Sequence, residues 1–353
     1  MSARRPWLLP LTPLYAAGLA LKRQSVRMGW LGSKQLGNPV ISVGSVSAGG
    51  AGKTPVVLML TEMLVRGGFA VKILTRGYGR RSKGVERVAP TGDPRWFGDE
   101  PVLLAQRADG IGAEVFVAAE RYEAGLLAES SLEEGKRIVH VLDDGFQHGR
   151  LARDIDVVLL TKQDLEDRLL PAGDLREPLT ALRQADVIVL REEELAWTAE
   201  FARQMAAEGE RRAAVWVLRR RLMLTGKDVL PKRPLVFSGI ARPEGFMAMV
   251  AAERCEVAAT VSFGDHHAYT EQDIERLVKR AQASGADGFV TTEKDAVKLT
   301  GALRLHLEQV GPIVALRLHV ELVDYKARMT ELIGMVAGMD RRGDRVAKRG
   351  RRV

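Results

Sequence analysis

The octet Ser47-Ala48-Gly49-Gly50-Ala51-Gly52-Lys53-Thr54 carries the densest chemical signal in the chain. An apolar run, Pro39 to Val46, leads into it, and a stretch with helical character runs on from Lys53 to about Arg66. Between a strand and a helix, a glycine-rich turn converges backbone N–H groups on an anion, and the helix dipole favours the same charge. Glycine lets the main chain approach phosphate oxygens with no Cβ in the way. In this arrangement Lys53 reaches the β- and γ-phosphates of a nucleotide, and the Thr54 hydroxyl takes a place on Mg²⁺. Ser47 stands where the usual pattern has glycine. ATP and Mg²⁺ are therefore the expected cofactors.

A phosphate loop of this kind needs a carboxylate from a second strand end. Arg137 to Leu142 reads as that strand, and Asp143-Asp144 follow it. Asp144 is expected on the metal, directly or through water, with Asp143 behind it. Arg76, Arg80 and Arg121 are candidates for holding substrate phosphate, because guanidinium matches phosphate geometry; surface pairing is the alternative for each. Gln147 and His148 flank the acceptor or phosphate side, or else fix their own loop.

The elements that must position these groups alternate. Strand signals recur at Pro39 to Val46, Ala70 to Leu74, Glu114 to Val117, Arg137 to Leu142, Ile155 to Leu160 and Asp186 to Leu190, with helical stretches between several of them. That order implies right-handed crossovers and a doubly wound, mostly parallel α/β sheet of the P-loop NTPase kind. Further strands are expected at Ala213 to Leu218, from Pro234 (PLVFSGI), at Ala258 to Phe263, at Gly288 to Thr292 and at Ile313 to Leu322, with polar turn signals at Thr225 to Lys227. The charged stretch with Glu208, Glu210, Arg211 and Arg212 suggests a domain change near 212. The expected division is 1–212 as a kinase domain, 213–322 as a second, smaller α/β domain, and a helix from Tyr325 to about Met339 (323–339) packing back on the first. Residues 340–353 read as a basic, disordered tail.

Charge and cysteine content narrow the classes. The formal charge of +8 and pI near 9.7 favour an anionic partner. Cys255 is the only cysteine, which excludes a disulfide framework and a cysteine-built zinc site and suits a reducing cytoplasm. The basic tail (Arg341, Arg342, Arg345, Lys348, Arg349, Arg351, Arg352) has no interleaved aromatics for base stacking, so nucleic acid is not expected. Near the N-terminus, Pro10 and Pro13 interrupt an apolar stretch too short to span a bilayer. A helix from Pro13 to about Trp30, with Leu14, Leu21 and Met28 at heptad spacing and Lys22, Arg23 and Arg27 near its end, fits either an interfacial helix or one packed on the domain.

An ordered set of motifs extends along the chain: Ser47 to Pro55, Thr75-Arg76-Gly77-Tyr78-Gly79-Arg80, Gly98-Asp99-Glu100-Pro101, Asp143 to His148, Pro171 to Pro178, Phe237 to Pro243, Phe263 to His267 and Thr292 to Asp295. Together they resemble the tetraacyldisaccharide 4'-kinase family of lipid A biosynthesis over roughly residues 10 to 330. Ser45 replaces the family's common Asn, a change not expected to touch the chemistry. The resemblance implies transfer of the ATP γ-phosphoryl to the 4'-hydroxyl of a tetraacyldisaccharide 1-phosphate, giving lipid IVA. It also implies a peripheral enzyme on the cytoplasmic face of the bacterial inner membrane, working on an anionic surface; a monomer is expected. By the same resemblance Asp99 is the base, His266 its dyad partner brought in by domain closure, and Glu177 a further metal carboxylate. Glu293 to Asp295 matches a base-recognition loop by position only. Two other readings remain open: a GTPase or ATPase of the metal-insertion or targeting type, and a nucleotide-dependent membrane-binding module.

Overall fold

The chain is an α/β protein built on a large mixed, mostly parallel sheet. The computed structural model describes residues 5–28, 32–130, 135–209, 212–224, 229–253, 255–265 and 267–350. Helix α1 (Thr12–Arg27) leads to β1 (Val40–Ser45), α2 (Lys53–Arg66), β2 (Ala70–Thr75), β3 (Glu86–Val88), α3 (Pro94–Phe97), α4 (Asp99–Asp109), β4 (Glu114–Val117), α5 (Arg121–Ser130) and β5 (Ile138–Asp143). Next come β6 (Ile155–Leu159), α6 (Lys162–Glu166), β7 (Val187–Arg191), α7 (Leu195–Glu208) and β8 (Ala214–Leu224). The remainder is β9 (Pro234–Ser238), α8 (Pro243–Ala251), β10 (Ala259–Ser262), α9 (Glu271–Ser284), β11 (Gly288–Thr292), α10 (Glu293–Ala296), α11 (Gly301–Glu308), β12 (Ile313–Leu322) and α12 (Tyr325–Gly350).

Two compact units divide the chain, one of residues 1–219 with 320–353 and one of residues 220–319. In the first, the strands run in the order β8-β7-β6-β1-β5-β2-β4-β3. All pairs are parallel except β3 with β4. A parallel sheet is covered on both faces, so its strands must be apolar throughout; β1, β5 and β6 are buried at every residue. Strand β1 lies between β5 and β6, so the loop after β1 and the acids ending β5 emerge side by side at the carboxyl edge, where α/β sheets bind ligands. On one face α12 packs against α2 with Leu332 and Val336 fully buried, and the Ile333 side chain comes within 2.8 Å of where a Cβ on Gly67 would sit.

The second unit has parallel strands in the order β10-β9-β11-β12. Its core gathers Leu235, Phe237, Phe289, Ile274 and Leu277. Helix α9 starts with a Thr270–Asp273 capping box and stops at Gly285, whose φ of 66° suits glycine.

Two local expectations are corrected, and one strand is not anticipated by the sequence. Strand β3 gives no hydrophobic signal, because it is a three-residue edge strand, Glu-Arg-Val, held by pairing with β4. Strand β8 runs on to Leu224 instead of ending near Leu218. Helix α12 does not stop near Met339 but continues to Gly350, so most of the segment 340–353 is helical backbone. Trp30, Glu210, Arg211, the turn Thr225 to Lys227 and the last three residues lie outside the described residues. Among the described residues no helix is long and apolar enough to cross a membrane.

Candidate active site

Buried β1 delivers the chain to Val46, and α2 begins at Lys53. Between them Gly49, Gly50 and Gly52 take φ of 68°, 65° and 84°, values an L-residue with a Cβ rarely adopts. Ser47 has its edge of the loop occupied: it bridges antiparallel to Leu175, and Ala48 N–H donates to the Asp174 carbonyl at 2.8 Å. Arg176 and Glu177 donate their N–H groups to Val46 O at 2.8 and 3.1 Å. Segment 174–177 is thus zipped onto the start of the loop.

Lys53 Nζ stands 3.2 Å from Asp144 Oδ1 and 3.4 Å from Ser45 Oγ. Position 45 lies beside the loop: its hydroxyl touches the loop lysine and donates to Ser47 O at 2.8 Å. Asp144, directly after β5, has φ 54° and is gripped in bidentate fashion by Arg176 at 2.8 and 3.0 Å. Burial alone would raise its pKa, but Lys53 and Arg176 outweigh that and hold the carboxyl below its ordinary value. Asp143 is buried behind it, within 3.4 Å of the Thr75 hydroxyl.

Glu177 is buried and paired with Arg23 of α1. Tyr15 and Lys22, also on α1, donate to the Arg176 and Gln147 carbonyls at 3.1 and 3.3 Å. A cavity of about 160 Å³ opens beneath this helix, lined by Leu19, Lys22, Arg23, Gln147 and Glu177 among others. Gln147 spans back to the loop strand by donating to Ser45 O at 2.6 Å. Thr54, Asp144 and Glu177 supply the hard oxygen donors that Mg²⁺ prefers. The two carboxylates are held by arginines in this state, and among the described residues no three acidic, His or Cys side chains are preassembled as a metal cluster. A metal there would replace cationic side chains already in place.

The arginines fall into different environments. Arg76 is exposed, and Arg80 donates to Gly84 O at 2.8 Å. Arg121 is only 7% exposed; burial lowers its pKa, with Asp143 opposing and Arg76 assisting. His148 is pushed down to about 4, first by burial and then by Arg121, so it is neutral near pH 7. Its Nε2 is buried without a hydrogen-bond partner.

Two arginines escape sequence reasoning. Arg176 touches Ser47 O at 3.0 Å as well as Asp144, and Arg191 at the end of β7 donates to Ala51 O at 2.9 Å. Arg176 lies inside the Pro171 to Pro178 motif but its grip on Ser47 O reaches across 129 residues, and Arg191 lies in no motif and reaches across 140.

A family model described as LpxK, tetraacyldisaccharide-1-P 4'-kinase, matches residues 4–336. The chain belongs to the tetraacyldisaccharide-1-P 4'-kinase family. It is 39% identical over 331 residues to the tetraacyldisaccharide 4'-kinase of Koribacter versatilis, covering 93% of this chain and 98% of that one. To the Aquifex aeolicus enzyme it is 37% identical over 302 residues, 84% and 90% of the two chains. A crystal structure of "apo" form LpxK from Aquifex aeolicus in complex with ATP superposes with a TM-score of 0.70 at 32% identity, covering 94% of this chain and 99% of that one.

The remaining residues assigned from the kinase resemblance are placed unevenly. Asp99 is the first residue of α4, directly after Gly98 at φ 95°, where a helix N-terminus favours a carboxylate. His266 lies outside the described residues. Its neighbour His267 binds Asp273 at 3.0 Å and stacks on Phe263. Asp295 is fully buried, accepting from Gly239 N–H at 3.0 Å and from the Thr292 hydroxyl at 2.6 Å. It ties β11 to the Ser238–Gly239 turn.

Proposed function

We propose that this kinase transfers the γ-phosphoryl of ATP, with Mg²⁺, to the 4'-hydroxyl of a tetraacyldisaccharide 1-phosphate, releasing ADP and lipid IVA. The observation that carries the reading is the Lys53–Asp144 pair at 3.2 Å, made between a left-handed glycine loop after β1 and the end of adjacent β5. Phosphoryl transfer asks a protein for positioning and charge neutralisation more than for covalent chemistry. Backbone N–H groups of 49–54 cradle the β- and γ-phosphates, and Lys53 neutralises the charge that moves toward the β–γ bridging oxygen. Thr54, Asp144 and Glu177 would hold Mg²⁺, which when bound would supply further neutralisation. Asp99 accepts the hydroxyl proton as the sugar oxygen bonds to phosphorus, and His266 orients that carboxylate by closure of two domains. Arg76, Arg80, Arg121, Gln147 and His148 hold the acceptor side.

The acyl chains keep the substrate in a bilayer, so we place the enzyme at the cytoplasmic face of the inner membrane as a peripheral monomer. The exposed apolar row on α1 and the net positive charge support this. Incubation with ATP, Mg²⁺ and the acylated disaccharide monophosphate is expected to add one phosphate to the lipid mass. Lys53→Ala should reduce kcat/KM by about a thousandfold or more, as loss of a principal phosphate-neutralising group does. Phosphate release without lipid, and no mass change, would instead indicate a hydrolase. The dyad has its own check: His266→Ala should change the acidic limb of the pH–rate profile, and an unaltered limb and kcat would remove His266 from the mechanism.

A further inference from the structure

Arg191 is 11% exposed and lies at the last residue of β7, one strand beyond β6. One guanidinium nitrogen donates to Ala51 O at 2.9 Å, inside the glycine loop, and the other to Glu194 Oε1 at 2.8 Å. The second oxygen of Glu194 accepts the Lys162 N–H at 2.8 Å, at the start of α6. The arginine is therefore anchored on two elements outside the loop and reaches it through one carbonyl.

The peptide plane gives that contact a consequence. In a trans peptide the carbonyl and the next N–H point in opposite directions, so holding Ala51 C=O toward Arg191 directs Gly52 N–H away from it. Ala51 sits between left-handed Gly50 and Gly52, where the chain has the most freedom to flip that plane. A flip would turn a carbonyl dipole toward the phosphates in place of a donor.

We propose that Arg191 is a positioning residue for nucleotide binding: its bond to Ala51 O fixes the 51–52 peptide with the N–H aimed at the triphosphate. The assignment rests on the loop being the phosphate cradle, and Glu194 keeps the guanidinium in register. Arg176 holds Ser47 O at the opposite end, so the loop is clasped by its carbonyls from both sides.

The test is substrate saturation and direct ATP binding with the full-length enzyme. Arg191→Ala should raise KM and Kd for ATP about tenfold, the scale of one charge-assisted hydrogen bond. The KM for lipid and the Tm should change little. Arg191→Lys should restore much of the affinity, and Glu194→Gln should weaken it in the same direction by less. Unchanged ATP affinity in Arg191→Ala overturns the proposal; so does an equal rise in both KM values with a large fall in Tm, which marks a merely structural residue. Should Arg191→Ala not fold, Glu194→Gln decides by the same criteria. Lys53→Ala run in parallel separates the two readings: if it still binds ATP like the parent, the cradle itself is misplaced, whatever Arg191 shows.

Discussion

The charges around the phosphate loop neutralise one another before any nucleotide arrives. Asp144 is shared by Lys53 and Arg176, and Glu177 is held by Arg23. A triphosphate seated at the loop would compete for these partners, so its binding would be an exchange of ion pairs and not the filling of an idle site. His148 is the clearest case of burial setting a protonation state, with its pKa near 4 against an ordinary 6.5. Its folded value is depressed, so between those pH values the unfolded chain binds a proton that the native site refuses. Stability should therefore rise with pH from about 4 to 6.5 and be lost on acidification through that window, by no more than about 3 kcal/mol. Urea midpoints at pH 7 and pH 5 should differ more for the parent than for His148→Gln; equal differences would show that the imidazole is not the group responsible. The residues legible in sequence are those whose role is local: the glycines and Lys53 follow one another, and Asp143-Asp144 close an apolar run. The contacts of Arg176 and Arg191 are not legible, although Arg176 stands in a motif, because an arginine gripping a distant carbonyl leaves no spacing to read.

At the level of elements, the strands were readable because burial on both faces makes each a continuous apolar run, and β4, β11 and β12 occupy the residues expected of them. β3 was missed because an edge strand with two charged residues owes its existence to its partner. The junction of β1 with the turn after β5 shows how closely these elements must fit. A Cβ on Gly44 would lie 2.4 Å from Phe146 Cβ and 3.0 Å from its backbone nitrogen, a contact that only backbone movement can relieve. Phe146 is itself buried, and Gly145 N–H donates to Val43 O at 3.1 Å, so the turn has little space to retreat. Gly44→Ala should cost about 2 kcal/mol or more of stability and lower kcat with it, because the displaced turn carries Asp144 and Gln147. Gly125→Ala is the control. There the obstruction is the Leu36 side chain, which can rotate aside, so denaturant midpoints should fall less. A smaller loss for Gly44→Ala than for Gly125→Ala would refute this account of the junction.

For the whole molecule the question is how a protein with no bilayer-crossing helix among its described residues meets a lipid that does not leave the bilayer. Leu14 and Leu21 on α1 are 70% and 64% exposed, and Trp7, Leu11 and Met28 are exposed near them. The same helix carries Lys22 and Arg23 and holds Glu177 and the Gln147 carbonyl, so a surface that engages α1 is coupled to the site by side chains already in contact. Two attractions should then act together. Burying two leucines contributes roughly 3 kcal/mol, about a hundredfold in partition, while the excess of eight positive charges adds a salt-sensitive term. Sedimentation with vesicles should show tight binding to anionic lipid, weaker binding to zwitterionic lipid, and partial loss on the anionic vesicles at high salt. Leu14→Glu with Leu21→Glu should remove the salt-resistant part and raise the lipid KM, while leaving ATP binding and Tm close to the parent's because neither side chain is buried. If that double variant binds vesicles as the parent does, α1 is not the docking element, and the route from membrane to Glu177 must run through another part of the chain.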